Sequence, residues 1–566
     1  MKRVYTYIKH ILSTLVLLTT ITSALFSQEK GSRDLLIKAM TDEMNRSYEQ
    51  LSLPESPEPY FISCTVGDIS YTSVEAVLGT VTYSETSPAE RVHAINLLVG
   101  DPSFTSDYSY SGKGIHSSSL NTIENDYNQL RREFWQTYDI AYKFAAEAYN
   151  SKQNNIKNSN LSEEEKELPD MLPLEKVVKH TPPIVEFNLN PASYEKIAVS
   201  LSDIFNSYPE IFDSKVELDG IQSLYHYTST EGSLSAESTE YVAVTITGKV
   251  RTPDHQIISD SKTFYAPSLE LLPANLEQEI ENFAKDLTLA AGSGEMHEYY
   301  LGPVLFINEA SAEIFADNLV SLSGVIASRK PVQVLTSVRR PENISQSRDA
   351  KRLEERMGRK VVDNRITIKN RTDLTTFGNT PLLGSYSIDA QGVIPKKEVL
   401  LIENGILKNL ISTRAPTTRI KESTGGLRYG ARPRNIAIEA APGILEISVS
   451  KGSSYSRLKE NLIEAAIEEG LDYAYIVKEI AGSSTQILYK VDIKDGKETI
   501  VTGGEIADIP LIKLKRPLDV GKDLKAFNYL YKNTIPTSLI YPSGILIEDI
   551  EIQRKPISKE KESPLI

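Results

Sequence analysis

Cysteine is nearly absent from this chain: Cys64 is the one cysteine in 566 residues. No intramolecular disulfide can form, and no C-x-x-C metal site exists. A lipoprotein would need a cysteine directly after its signal segment, and there is none. Histidine is also sparse, at seven residues: His10, His93, His116, His180, His226, His255 and His297. None lies three to five residues from another, so no helical two-histidine metal pair is present. His297-Glu298 begins H-E-x-x-H, but position 301 is leucine. Neither G-x-S-x-G nor G-x-x-x-x-G-K-[ST] occurs, which removes two common signatures of hydrolases and nucleotide-binding proteins.

Positive charge is the next deficit. The chain has 62 Lys and Arg against 76 Asp and Glu, a net charge of -14. Setting aside the first 24 residues, which hold Lys2, Arg3 and Lys9 and no acid, makes it more negative by three. Such a chain repels phosphate backbones, which argues against a nucleic-acid partner. Long apolar runs are missing as well. The only candidate is Ile11–Ile21, behind a basic N-terminus and ahead of small residues that offer cleavage after Ala24 or Ser27. This pattern predicts a signal peptide over 1–24, and export to the periplasm or the outside of the cell. The run is too short for a membrane span, and no later segment has eighteen unbroken apolar residues, so no stable membrane span is expected.

What remains is a globular composition, 40% hydrophobic and 24% charged, with length for about three or four domains. The first unit, 33–182, is expected to be α/β. It holds a helix over 33–52 with Leu36, Met40, Met44 and Tyr48 on one face, and strands at 60–66, around Val74 to Val81, and at 93–99. The longest helix is expected over 122–152, where Tyr127, Leu130, Phe134, Tyr138, Ala141, Ala145 and Tyr149 form a stripe. Cys64 falls within a strand pattern and reads as a small core residue. Asp101, near His93 in sequence, reads as a turn residue. A second α/β layer is expected over 183–299, with helices at 192–206 and 273–291 and strands at 214–219, 221–229 and 240–251, punctuated by Gly220 and Gly232. The third unit, 300–566, is mostly β. It shows short strands at 361–363 and 366–368, hairpin turns at Asn404-Gly405, between arms 398–402 and 406–411, and at Asp495-Gly496, an alternating stretch at 435–449 and a helix over 454–469. The fold class is therefore α+β.

Two stretches of the third unit could carry function. Gly302–Leu322 begins with a short apolar strand, Pro303–Phe306. It continues as a helix whose apolar face is Ala312, Phe315, Ala316, Leu319 and Val320. A strand, a tight turn and a first helical turn with free backbone donors commonly build a site. The second stretch is Lys421–Gly430. Its adjacent Gly425 and Gly426 would let a backbone approach a ligand, and Arg428 could pair with a carboxylate; an ordinary flexible loop is the alternative.

Several segments resemble one family in the same order. They are PYFISCTVGD, RVHAINLLVGDPSF and REFWQTYDIAYKFAAEAY near the start, then VVDNRITIKN, GSYSIDAQGVIPKKEVLLIENGILKNLISTRAPTTRIKESTGGLRYG, with Asp389–Val393 as a D-x-x-G-V segment, and PTSLIYPSGILIEDIEIQR near the end. Together they are similar to the TldD/PmbA family over about 33–556. The resemblance implies an α/β N-terminal part and a β-rich C-terminal domain related to zinc peptidases. Catalytic members place H-E-x-x-x-H on the helix after a P-V strand, with a cysteine ligand near the C-terminus. Here Ala316 and Ser321 stand at the histidine positions and Asp317 at the glutamate. No cysteine follows Cys64, and Gly426-Leu427 stands where the family often has a histidine. The resemblance therefore implies a metal-free subunit of the PmbA/TldE type. It would bind no zinc or other cofactor itself, would pair with a zinc-bearing TldD-like paralogue, and would help hold unfolded peptide. Gly425, Gly426, Arg428 and the helix around Asp317 would line the shared cavity. Two alternatives stay open: a homodimeric scaffold of the cell envelope, and an active peptidase using Asp317 and Glu313 as an acid/base pair.

Overall fold

The computed structural model describes residues 35–107, 115–120, 125–157, 161–180, 189–253, 255–320, 324–327, 353–432, 435–480 and 486–554. The N-terminal segment read as a signal peptide lies outside them, as does Ser321. The first helix, α1 over 35–50, follows the spacing of Leu36, Met40 and Met44, which are all buried, but Tyr48, expected on the same face, is exposed near the end of the helix. Three strands follow: β1 (Pro59–Val77), β2 (Thr80–Thr86) and β3 (Glu90–Asp101). The expected strand through Gly79 is a turn instead, because Leu78 and Gly79 both take positive φ (49° and 79°). The long helix α2 (Tyr127–Ile156) starts at Asp126, whose carboxylate accepts the Gln129 N–H. Next come α3 (Pro191–Asp203), β4 (Ile211–Ser229), β5 (Leu234–Arg251), β6 (Ile257–Ala266) and α4 (Leu276–Ala291).

Strands from 33–182 and from 183–299 share one nine-stranded sheet, in which β1 pairs antiparallel with β3 on one side and with β4 on the other. One face of this sheet carries helices at both ends. Ile62, Cys64 and Val66 pack under α1 and α2, while Val74 and Ala76 pack under α3 and α4. Cys64 is fully buried, and burial pushes its thiol up to about 12, so it is a core residue and not a nucleophile.

Gly220 does not divide two strands; β4 runs straight through it. The glycine is needed for another reason. A Cβ there would fall within 2.6 Å of Tyr194 Cζ and 2.8 Å of Cε1, and Tyr194 is a buried, rigid side chain of α3. Gly220→Ala is expected to cost about 1–3 kcal/mol by overpacking. A urea titration showing an unchanged midpoint would contradict this packing.

The C-terminal part begins with β7 (Tyr300–Ile307) and α5 (Glu309–Leu319), as the opening motif of that unit predicts. It continues with β8 (Ile366–Arg371), β9 (Glu398–Glu403), β10 (Leu427–Arg432), β11 (Asn435–Ala440), β12 (Ile444–Val449) and α6 (Tyr455–Glu468). The last strands are β13 (Tyr473–Val477), β14 (Gln486–Asp492), β15 (Glu498–Ile506), β16 (Leu524–Tyr531), β17 (Ile535–Pro542) and β18 (Gly544–Arg554). The stretch 435–449 is two strands, because Pro442 and Gly443 break the ladder between β11 and β12. Val361–Asp363 forms no strand, and the second arm of the Asn404-Gly405 hairpin pairs only over Ile406–Leu407.

A seven-stranded mixed sheet holds β7 between β13, parallel, and β18, antiparallel. A six-stranded sheet contains β9, β8, β12, β17 and β16 in that order. Side chains of both sheets and of α5, including Ala312, Phe315 and Leu319, make one apolar core. The face of the N-terminal sheet that carries no helices packs on this part: Ile69, Ile221, Tyr225 and Tyr241 meet Leu383, Leu427, Tyr429 and Ile436. The fold is α+β, as expected from the sequence. No helix among the described residues is long and apolar enough to cross a membrane.

Candidate functional site

The strand-to-helix turn at the head of α5 is strained. Asn308 precedes the helix with φ 53° and ψ −129°, a region few non-glycine residues enter. Bonds on several sides hold it there. Its N–H donates to Ser543 O at 3.0 Å, and its side-chain oxygen accepts from Lys525 Nζ at 2.8 Å. On the helix itself, Ala316 offers no donor atom. Asp317 is exposed, but the protein around its carboxyl still pushes it above the ordinary range, and the Asp508 carboxylate adds to the push. Glu313 turns Oε2 to the Ile480 N–H at 2.6 Å, so this oxygen fixes the segment that follows β13. Among the described residues no group of three or more His, Cys, Asp or Glu side chains is placed to hold a metal ion. With alanine at 316 and the sole cysteine buried under α1 and α2, the donor set here does not fit the zinc that catalytic members of the family hold.

The glycine-rich stretch is an ordered turn, not a flexible loop. Ser412 N–H donates to Thr424 Oγ1 at 2.8 Å, and Thr424 N–H donates to Ser412 Oγ at 3.0 Å. Gly425 and Gly426 are both buried. Gly425 has φ +72°, and a Cβ on it would fall 2.7 Å from Pro395 Cα; one on Gly426 would collide with Ile411. The two glycines therefore let the chain pack on itself.

Arg428 behaves differently. It is 5% exposed, on β10, and lines a cleft of about 160 Å³ between the N-terminal sheet and the C-terminal part. The cleft is bounded by Glu237, Thr239 and Glu240 of β5 on one side and by Leu383, Tyr386 and Tyr429 on the other. The guanidinium carbon stands 4.5 Å from the centre of the Tyr386 ring, a cation–π contact. Nη1 donates to the carbonyls of Pro442 and Pro536, both at 2.6 Å. Tyr386 is itself fixed by donating to Gly425 O at 2.8 Å, so the glycine turn positions the ring that faces the arginine. Burial pulls the Arg428 pKa down, while Tyr386, Glu237 and Tyr529 favour its charged form.

Tyr529 links the two stretches singled out in the sequence. Burial pushes its phenol well up; the Arg428 charge opposes that shift and the Asp317 carboxylate adds to it. Both charges thus lie within electrostatic reach of one hydroxyl, which has no hydrogen-bond partner among the described residues. Sequence reasoning found Asp317 and Arg428 but missed Tyr386, Tyr529, Glu237 and Glu240. Tyr386 sat within the GSYSIDAQGV segment, three residues before Asp389. The others come from distant strands and carry no local signal.

Residues 303–554 match the family profile described as the PmbA/TldA metallopeptidase C-terminal domain. No curated protein matches the sequence at a significant level. Among solved structures, the fold is similar to TldE from Thermococcus kodakarensis, with TM-score 0.58 and 14% identity, over 91% of this chain and 99% of that one. It is also similar to a candidate modulator of a DNA gyrase from Thermotoga maritima, with TM-score 0.56 and 14% identity, over 87% and 96% of the two chains. A candidate modulator of DNA gyrase from Bacteroides thetaiotaomicron gives TM-score 0.54 and 11% identity, over 91% and 98%. At these identities the likeness is one of fold. Residues 303–554 therefore carry the C-terminal domain of the TldD/PmbA family, and the whole chain shares the fold of TldE and these two proteins.

Proposed function

We propose that this protein is an exported, non-catalytic subunit of a TldD/PmbA-type peptidase, which binds unfolded peptide and pairs with a zinc-bearing homologue. The observation that carries the reading is the helix α5. It keeps the strand-to-helix position in the core, yet it presents Ala316 and Asp317 where metal-binding members carry their first histidine and glutamate. The likeness to TldE supports the same direction. The cleft beside Arg428 supplies the peptide-binding surface, since the edge of an extended strand suits an extended substrate. The basic and apolar N-terminal segment supports export.

The pure mature chain is expected to hold no stoichiometric zinc and to leave an unfolded peptide intact. Mixed with a TldD-like paralogue, it is expected to form a hetero-oligomer and to support cleavage. Metal analysis, size measurement after co-expression, and a peptide assay of each chain alone and together check this. Tightly bound zinc at one per chain overturns the reading. A persistent homodimer beside the paralogue favours a scaffold role. Cleavage by the pure chain that survives chelation and is lost in Asp317→Ala favours a peptidase using its own carboxylates.

A further inference from the structure

The head of α5 is fastened to the residues that follow β13. The Ala310 N–H donates to Lys478 O at 2.9 Å, and the Ile480 N–H donates to Glu313 Oε2 at 2.6 Å. Glu479 lies between these two ties, so its backbone is held against the helix. Its side chain is half-buried, at the junction where β6 and α4 of the N-terminal part meet α5.

Lys262 of β6 is the central cation of that junction. Its Nζ stands 3.0 Å from Glu309 Oε1, in the first turn of α5, and 3.7 Å from Glu279 Oε2 of α4. The Lys262 and Glu309 side chains are only 16% and 23% exposed, so water screens this pair weakly. Asp260, two residues back on the same face of β6, and Glu313 of α5 also lie within electrostatic reach of Glu479. A second set of contacts closes α4 on β14. Tyr489 Oη donates to Asp286 Oδ2 at 2.6 Å, and Lys478 Nζ stands 3.6 Å from the centre of the Tyr489 ring and 3.8 Å from Asp286. Tyr541 of β17 faces Glu309 and Glu313 as a neutral phenol, since burial pushes it well up. Residues 481–485, which follow next in the chain, have no ionisable side chain.

Three carboxylates and one ammonium thus act on Glu479, and a fourth negative charge in this half-buried place is unfavourable. Burial pushes the Glu479 carboxyl up to about 9; Glu309, Asp260 and Glu313 add to the push and Lys262 opposes it. Burial also pushes Asp260 up to about 6, against the Ser261 N–H and Lys262. The docked junction therefore holds the Glu479 proton more tightly than a parted one, where the carboxyl returns towards its ordinary 4.5. Docking has its full advantage below that ordinary value and loses it progressively as pH climbs to about 9.

We propose that this junction is a proton-held latch on α5: the proton on Glu479 keeps β6 and α4 docked on the head of the helix, and its loss lets them part. Lys262 and Glu309 pull the two sides together, and Glu479 decides whether the acidic groups around them repel.

The test is hydrogen–deuterium exchange of the full chain, read by mass spectrometry and corrected for the intrinsic pH dependence of amide exchange. Amides of Glu309–Leu319 are expected to lose about tenfold in protection between pH 7.5 and pH 9, and those of β3, away from the junction, to change far less. Glu479→Gln cannot ionise and is expected to abolish most of the loss, whereas Asp389→Asn is expected to leave it in place. Unchanged protection of α5 in the unaltered protein overturns the latch. An equal loss in β3 marks global unfolding and overturns it as well. An equal loss in Glu479→Gln overturns the role of Glu479. The first two outcomes need no variant, so the test holds even where Glu479→Gln does not fold.

Discussion

Arg414→Ala is expected to destabilise the folded chain by about 3–5 kcal/mol, the range for breaking one side of a buried ion pair. Arg414 is 1% exposed and is the largest fully buried side chain among the described residues. It reaches from the loop after the Asn404-Gly405 hairpin into the N-terminal part. There Nη1 and Nη2 donate to the two oxygens of Glu231 at 2.7 Å each, and Nε donates to Leu172 O at 2.8 Å. The guanidinium also lies 5.6 Å from the Phe61 ring centre. Removing it leaves the Glu231 carboxylate and the Leu172 carbonyl without this donor and opens a void between the two parts. Glu231 is 28% exposed and regains some water, which favours the lower end of the range. Glu231→Gln keeps the shape and is expected to cost less. Urea unfolding followed by fluorescence measures both variants; a loss below about 1 kcal/mol for Arg414→Ala would show that the contact is structurally idle.

Stability is expected to fall as pH rises from about 4 to about 7, and Asp389→Asn to remove much of that fall. Asp389 begins the D-x-x-G-V segment and is fully buried. Its Oδ1 accepts the N–H groups of Gln391 and Val393, both at 2.8 Å, and the Leu427 N–H also favours the carboxylate, while Oδ2 has no close hydrogen-bond partner among the described residues. Burial pushes its pKa from 3.8 up to about 7, against the pull of those N–H groups and of Arg414. The surrounding phenols of Tyr227, Tyr386 and Tyr429 stay neutral in this range and supply no compensating charge. Since the folded chain holds this proton more tightly than the unfolded one, the folded state is favoured below the unfolded pKa. That advantage is lost progressively as pH climbs to the folded pKa. The size is on the order of a few kcal/mol. Asparagine keeps the Oδ1 contacts and cannot ionise. Unfolding midpoints of the two proteins measured from pH 5 to pH 8 are expected to diverge in favour of the variant as pH rises; parallel curves would contradict the argument.

The legible parts of this fold were those with a local cause. The face of α1, the stripe of α2, the turn at Asn404-Gly405 and the strand–helix unit β7–α5 follow from spacing and turn chemistry within a few residues. The misread positions were governed by partners far along the chain. Gly220 marks the approach of Tyr194, not a break, and nothing near residue 220 reveals that. The short arm at Ile406 loses its regular ladder where Lys408 and Asn409 both donate to Leu401 O, and Ile411 N–H then goes to Val325 O instead. At the candidate site, Arg428 was visible as a cation among glycines. Its orientation was not, because Tyr386 and the carbonyls of Pro442 and Pro536 fix it from three separate places. Gly425 and Gly426, read as an opening for a ligand, are taken up by contacts with Pro395 and Ile411.

Strand β1 has a consequence for how this chain tolerates changes in length. Its 19 residues span roughly 60 Å at the usual strand rise. Along it, Ile62, Cys64 and Val66 serve the core under α1 and α2, and Val74 and Ala76 serve the one under α3 and α4. On the opposite face Ile69 packs against the C-terminal part, and Thr65 bonds Tyr429 Oη at 3.2 Å. The even-numbered and odd-numbered positions thus answer to separate neighbours at three stations of one continuous ribbon. Inserting or deleting a single residue in its middle inverts the parity of everything downstream. Such a change would turn Val74 and Ala76 out of their core while Ile62 stayed in place, so the spacing between these stations is as much a requirement of the fold as the residues that occupy them.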